Sequence, residues 1–146
     1  MNHKLARLGA FLLGLCAATG AWSETHEVKM LNRASLGAMV YEPEFIALKP
    51  GDTLKFLASS HGHDAVSIEG MLPAGAKPFK GKINEEIEVT FTEAGIYGIK
   101  CLPHYAMGMV MLVQVGDAPL TTLQIPAHVP ERAQKRLQEI AARAAR

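Results

Sequence analysis

The chemistry of this chain is concentrated in Cys101-Leu102-Pro103-His104-Tyr105-Ala106-Met107-Gly108-Met109, a run holding a thiol, an imidazole and two thioethers. A Cys-x2-His-x4-Met spacing at the junction of two apparent strands suits copper cycling between its two oxidation states. Soft sulfur satisfies the reduced ion, and imidazole serves both. Such a site takes one thiolate, two imidazoles and a weak thioether. Cys101, His104 and Met109 would supply three of these, and the second imidazole must arrive from a separate strand end. His63 is the better candidate because the chain runs almost directly from it into an extended segment. His61 competes without that support. Met107 competes with Met109, but it follows His104 too closely to swing back under a metal, which favours Met109.

Each of these residues alone has a plainer reading. A lone buried cysteine is a small hydrophobe, a loop histidine is solvated, and methionines beside strands fill cores. The combination and its spacing favour a metal. Zinc fits less well, because structural zinc sites take more thiolates and no thioether. His26 and His128 read as surface residues.

The elements that must position these groups follow from hydrophobic period. From Glu24 the pattern is mostly period-two with turn punctuation, the signature of a small antiparallel β protein. Strands are expected at Glu27 to Leu31, Ala38 to Glu42, Phe45 to Leu48, Thr53 to Leu57, Ala65 to Ile68, Glu86 to Thr92, Ile96 to Cys101 and Val110 to Val115. Lys49-Pro50-Gly51-Asp52 is a turn of the type that favours a Pro-Gly pair. Ser59 to Asp64 reads as loop, and Glu69 to Lys82 as mainly loop. Alternation in the strand before Cys101 puts Tyr97, Ile99 and Cys101 on one face, so the thiol points inward. The tail changes period: Ala133, Leu137, Ile140 and Ala141 form a helical stripe, predicting a helix from about 130 to 143 that packs on the sandwich. Whether Leu120 to Ile125 is helical is open at this point, since Pro126 cuts it short.

Composition sets the class. Residues 1–23 read as a secretory signal, with Lys4 and Arg7 before an apolar core and small residues at Ala21 and Ser23. That core is about half the ~20 residues a spanning helix needs. Cys16 raises a lipoprotein alternative, which Leu15 disfavours. Of the 15 basic and 14 acidic residues, two basic ones fall in the signal, so the mature chain carries 13 − 14 = −1. That balance argues against nucleic acid as a partner. The remainder suffices for one domain with a real core. Cys101 is then the only cysteine left; no internal disulfide can form, so the thiol is free, intermolecular or a metal ligand. The expected organisation is a signal at 1–23, a β domain at 24–117 and a helical extension at 118–146.

The run Lys100 to Met109 resembles the copper loop of the pseudoazurins, within the cupredoxin superfamily. Further resemblance lies in Met30-Leu31-Asn32, Ala38-Met39-Val40-Tyr41-Glu42-Pro43, Phe79-Lys80-Gly81-Lys82-Ile83-Asn84-Glu85 and the helical tail. The resemblance implies an all-β fold, a Greek-key β-sandwich of about eight strands with a C-terminal α-helical extension of two helices. It also implies His63, Cys101, His104 and Met109 as ligands of one type 1 copper, with Met39 packed beside a ligand imidazole. Two residues depart from the family pattern. Asp64 stands where Asn usually ties the two ligand loops together. If ionised it would lower the reduction potential; if protonated it could mimic Asn. His61 stands where a lysine is common, which makes the charge of that corner pH-dependent.

The chemistry implied is one-electron transfer with no substrate turned over. His104 would be the port, with Leu102, Pro103, Ala106 and Met107 as apolar surroundings. Arg33, Lys77, Lys80, Lys82 and Lys100 could ring that patch and steer an acidic partner. The family resemblance implies a soluble, monomeric periplasmic carrier, not inserted in the membrane after signal cleavage. It would meet its redox partners in weak, brief complexes. Copper nitrite reductase or another denitrification reductase would accept its electrons, and cytochromes could supply them. A periplasmic copper-binding or delivery protein is the alternative, although such proteins favour open Met- or His-rich sites. An enzyme is disfavoured, because no acid–base pair or open coordination position is evident.

Overall fold

A computed structural model describes residues 22–146; residues 1–21 of the expected signal lie outside them. Eight strands form two four-stranded sheets: β1 (Thr25–Ala34), β2 (Gly37–Glu42), β3 (Phe45–Leu48), β4 (Thr53–Leu57), β5 (Val66–Ser67), β6 (Ile87–Thr90), β7 (Gly95–Lys100) and β8 (Val110–Val115). One sheet runs β2-β1-β4-β6 and the other β3-β8-β7-β5. The expected sandwich is present, but it is not purely antiparallel, because β1 pairs with β4 and β3 with β8 in parallel. Period-two alternation reports which face a side chain occupies and carries no information on strand direction. Long Greek-key connections make the parallel neighbours. The Ala65 to Ile68 strand shrinks to two residues, while the first strand grows to ten.

Between the sheets, Val28, Met30, Phe56, Phe91, Tyr97, Ile99, Met111 and Val113 are fully or almost fully buried. β8 is buried on both faces. Met111 and Val113 enter this core, while Val110 and Leu112 face a second cluster with Ala133, Leu137 and Ile140. Those last three belong to α1 (Glu131–Ala144), and they are the stripe read from the sequence. Burying Leu137 and Ile140 contributes about 1.5–3 kcal/mol each. The carboxylate of Glu44, itself buried, pairs with Arg136 and Arg143 and fixes α1 to the sheet. Only one helix follows the sandwich where the family resemblance implied two: Leu120–Thr122 forms a 3-10 turn. Pro126 lacks an N–H and pushes Ile125 out of the helical region, which leaves too little chain for an α-helix.

Candidate metal centre

The strand ladder sets Cys101 and Met109 side by side. Beyond the Lys100–Val110 pair of β7 and β8, the Cys101 N–H donates to the Met109 carbonyl at 3.1 Å. Cys101 and Met109 are therefore opposed on the next rung. Opposed residues share a face, with Cβ atoms about 4.5–5.5 Å apart. Both are completely buried in the inter-sheet core. Met107 is instead 52% exposed on the turn between them. That turn is a 3-10 helix, Tyr105–Met107. It is wound around His104, whose carbonyl accepts from the Met107 and Met109 N–H groups at 3.0 and 3.1 Å. Gly108 ends the turn at φ +92°, and a Cβ there would lie 3.3 Å from the Arg132 carbonyl of α1. The missing side chain lets the helix back the loop directly.

The second imidazole comes from the loop between β4 and β5. His63 is fully buried, and its Nε2 lies 2.8 Å from Asn32 Oδ1. An amide oxygen only accepts, so Nε2 carries the proton and Nδ1 keeps a free lone pair. That Nδ1 is 3.7 Å from Cys101 Sγ, and His104 Nδ1 is 3.5 Å from the same sulfur. The three donor atoms lie within 4.8 Å of one another, the only such cluster among the described residues. Metal–nitrogen and metal–sulfur bonds of about 2.0 and 2.3 Å, splayed by ~120°, place sulfur and nitrogen about 3.7 Å apart. The spacing thus fits a trigonal Cys/His/His set, the geometry that copper takes with a weak axial sulfur. His61 is exposed and outside the cluster.

The β1–β2 ladder is interrupted beside this loop. The β1–β2 register passes from Leu31–Val40 to Arg33–Ala38 without an Asn32–Met39 pair, and Met39 adopts φ +54°. Released from the ladder, Asn32 turns its side chain to His63. Its own N–H donates to Ser60 Oγ at 3.2 Å, and the Ser60 N–H donates to the Met30 carbonyl at 2.9 Å. Met39 packs half-buried against the cluster that holds Cys101 and Met109.

Burial pushes the Cys101 thiol up to about 11, with backbone hydrogen bonds at Asp64 and His104 working the other way. Burial, and then the neighbouring His104, hold His63 below the usual imidazole range. At neutral pH the metal-free site therefore presents a neutral His63 and a protonated thiol, whose proton an incoming metal must displace. Asp64 is buried, and its Oδ1 accepts the Leu102 N–H at 2.7 Å. The acceptor half of the expected Asn is thus preserved. The Asp64 carbonyl accepts the Tyr41 hydroxyl, also at 2.7 Å.

His104 is half-exposed, flanked by the exposed side chains of Leu102 and Met107. A groove of about 430 Å³ is bounded by Asp64, Lys80, Lys82, Ile83, Leu102 and Pro103. The Lys100 ammonium sits 4.8 Å above the Tyr105 ring. Lys77 lines a different cleft, against Phe79 and β6. His128 is exposed as expected, but His26 is half-buried, 3.7 Å from the carboxylates of Glu24 and Asp52. Sequence reasoning missed Asn32 as the partner of His63. The only signal was a polar residue ending the Val28-to-Leu31 apolar alternation.

Known proteins resemble this chain along most of its length. A family of copper binding proteins, the plastocyanin/azurin family, matches residues 28–116. A pseudoazurin from Paracoccus pantotrophus is 44% identical over 144 residues, covering 95% of this chain and 98% of its own. A putative pseudoazurin from Rhizobium leguminosarum bv. viciae is 42% identical over 138 residues, covering 94% and 91%. The crystal structure of pseudoazurin from Methylobacterium extorquens AM1 superposes with a TM-score of 0.72 at 42% identity, covering 82% of this chain and 98% of that one. With a His63/Cys101/His104 donor cluster and relatives of this similarity along nearly its full length, the chain belongs to the pseudoazurin family of type 1 blue-copper proteins.

Proposed function

We propose that His63 Nδ1, Cys101 Sγ, His104 Nδ1 and the Met109 thioether hold the single copper ion, and that the chain carries electrons one at a time to a denitrification reductase such as copper nitrite reductase. The observation behind this reading is the Cys101–Met109 rung, with two imidazole Nδ1 atoms 3.5 and 3.7 Å from its thiol sulfur. The bound ion supplies the one-electron couple. The protein's part is to hold the donors still. His63, Cys101 and Met109 sit in a dry core, with Asn32 on the far nitrogen of His63 and Asp64 joining the two ligand-bearing loops. Donors fixed before the metal arrives need little rearrangement when charge changes, so little opposes electron transfer.

His104, half-exposed between Leu102 and Met107, is the port through which the electron leaves. The apolar rim allows close, dry approach, and Lys80, Lys82, Arg33 and Lys100 favour an acidic partner. Residues 1–23 direct export to the periplasm, 24–117 form the copper domain, and 118–146 form its helical extension.

Residues 24–146 loaded with Cu(II) are expected to show intense thiolate-to-copper absorption that Cys101→Ser and His63→Ala abolish and His61→Ala retains. The reduced protein should be reoxidised by copper nitrite reductase and nitrite, more slowly as salt rises. A colourless protein that hands copper to a chelator would instead mark a delivery protein.

A further inference from the structure

Asn84 lies far from any metal donor in sequence, in the turn that precedes β6. It and Met39 are the non-glycine residues with positive φ among the described residues; Asn84 stands at φ +65°. That left-handed conformation costs energy for a residue with a side chain, and Asn tolerates it best. Such strain persists only where surrounding bonds hold it.

Here the bonds lead to the copper site. The Asn84 N–H donates to the His63 carbonyl at 2.8 Å, and Asn84 Oδ1 accepts the Gly62 N–H at 2.7 Å. One residue therefore grips the chain on both sides of His63. Gly62, at φ +93°, belongs to no strand and has no ladder partner for its N–H. The turn that carries Asn84 is itself braced. The Lys82 N–H donates to Glu85 Oε2 at 2.7 Å, the Glu85 N–H to the Lys82 carbonyl at 3.1 Å, and the Gly81 N–H to the Ala65 carbonyl at 2.9 Å. The segment from Gly81 to Glu85 is thus fastened along the segment from Gly62 to Ala65.

We infer that Asn84 is a positioning residue for the copper ion, acting through the backbone of His63 to fix where Nδ1 points. This rests on the ligand set proposed above. Asn32 restrains the ring from its far nitrogen, and Asn84 restrains the main chain that carries it. The two restraints are independent, because one sets tautomer and ring rotation while the other sets the height of the loop over Cys101. The left-handed backbone is what lets a single residue present both its N–H and its Oδ1 to the same loop.

The test uses N84G, which keeps the left-handed backbone and the bond to the His63 carbonyl but deletes the acceptor, and N84D, which keeps an acceptor oxygen. In the metal-free protein, hydrogen exchange at the Gly62 amide should quicken about fivefold to tenfold in N84G and stay within about twofold in N84D. The amides of Met111 and Val113 should not change. In the copper-loaded protein, N84G should release copper to excess chelator about fivefold faster and alter the thiolate-to-copper absorption bands. Unchanged Gly62 exchange would overturn the inference, as would faster exchange with wild-type copper release and spectrum. A parallel rise at Met111 and Val113 would assign Asn84 to the sandwich as a whole and also overturn it. Failure of the ligand set itself reads differently, as colour that survives His63→Ala.

Discussion

Asp64 Oδ1 accepts the Leu102 backbone N–H at 2.7 Å, so the residue after His63 is tied to the residue after Cys101. Asp64→Asn keeps that acceptor and removes an acidic group from the copper's surroundings. The reduction potential is expected to rise by roughly 40 to 170 mV, since one charge a few ångströms away is worth about 1–4 kcal/mol at intermediate dielectric. Asp64→Ala should remove the tie as well, broadening the copper spectrum and speeding metal loss. Protein-film voltammetry distinguishes the two, and an unchanged potential in Asp64→Asn would show that Asp64 acts on the site through its hydrogen bond alone.

Copper uptake should release protons. The Cys101 thiol, pushed by burial up to about 11, is protonated until a metal takes it, while His63 is already neutral near pH 7. Between about pH 8 and 10, apparent copper affinity should therefore climb roughly tenfold per pH unit, with one proton released per ion bound. Titration of the metal-free protein in weakly buffered solution reads this directly. Cys101→Ser should lose the release.

At the opposite end of β1, Asp52 is buried, with Oδ1 accepting the Glu24 N–H at 2.9 Å and Oδ2 accepting the Lys49 N–H at 2.8 Å. The Glu24 bond in particular holds its carboxyl below the ordinary value. A carboxylate shifted down stabilises the fold above its unfolded value near 3.9 and loses that contribution as pH falls through the folded one. Asp52→Asn should cost about 1–2 kcal/mol at pH 7, with the gap from wild type closing below about pH 4. Chemical denaturation at several pH values measures it.

The Glu44 clamp predicts a tail effect. Glu44→Ala leaves Arg136 and Arg143 facing an empty site, at an expected cost of about 1–3 kcal/mol, discounted because both arginines are partly exposed. Leu137→Ala should cost about 2–5 kcal/mol through the cavity it leaves. Because α1 backs the ligand loop at Gly108, both variants should also perturb the copper spectrum.

Met107→Glu tests the docking face. The side chain is exposed and outside the donor cluster, so potential and colour should hold while electron transfer to an acidic partner slows severalfold. Stopped-flow reoxidation gives the rate.

Much of this was legible in the residues themselves. The Cys101–His104–Met109 spacing, the inward face of Tyr97, Ile99 and Cys101, and the stripe of α1 are periodic or local signals, and local signals survive reading in one dimension. His63 could be preferred over His61 because a strand follows it directly. What escaped was non-local. Nothing near Asn32 or Asn84 announces a bond to a loop some 20 to 30 positions away, because an Asn that holds a ligand looks the same as one in a turn. The parallel pairings and the Glu44 clamp also depend on chain crossings that alternation does not encode. The Leu120 to Ile125 stretch stayed open because proline limits a helix without saying whether a shorter turn remains.

The Cys101–Met109 rung has a consequence for how such a site can change over generations. Its two sulfurs are kept opposite one another by the register of β7 and β8, not by the seven residues between them. The outward-facing side chains of the turn are therefore replaceable. The exposed side chains of Leu102, Ala106 and Met107 can be traded to suit a different partner, while the sheet keeps Cys101 and Met109 opposed and His104 keeps its place in the turn. Redox specificity and metal retention can in this way be selected almost independently.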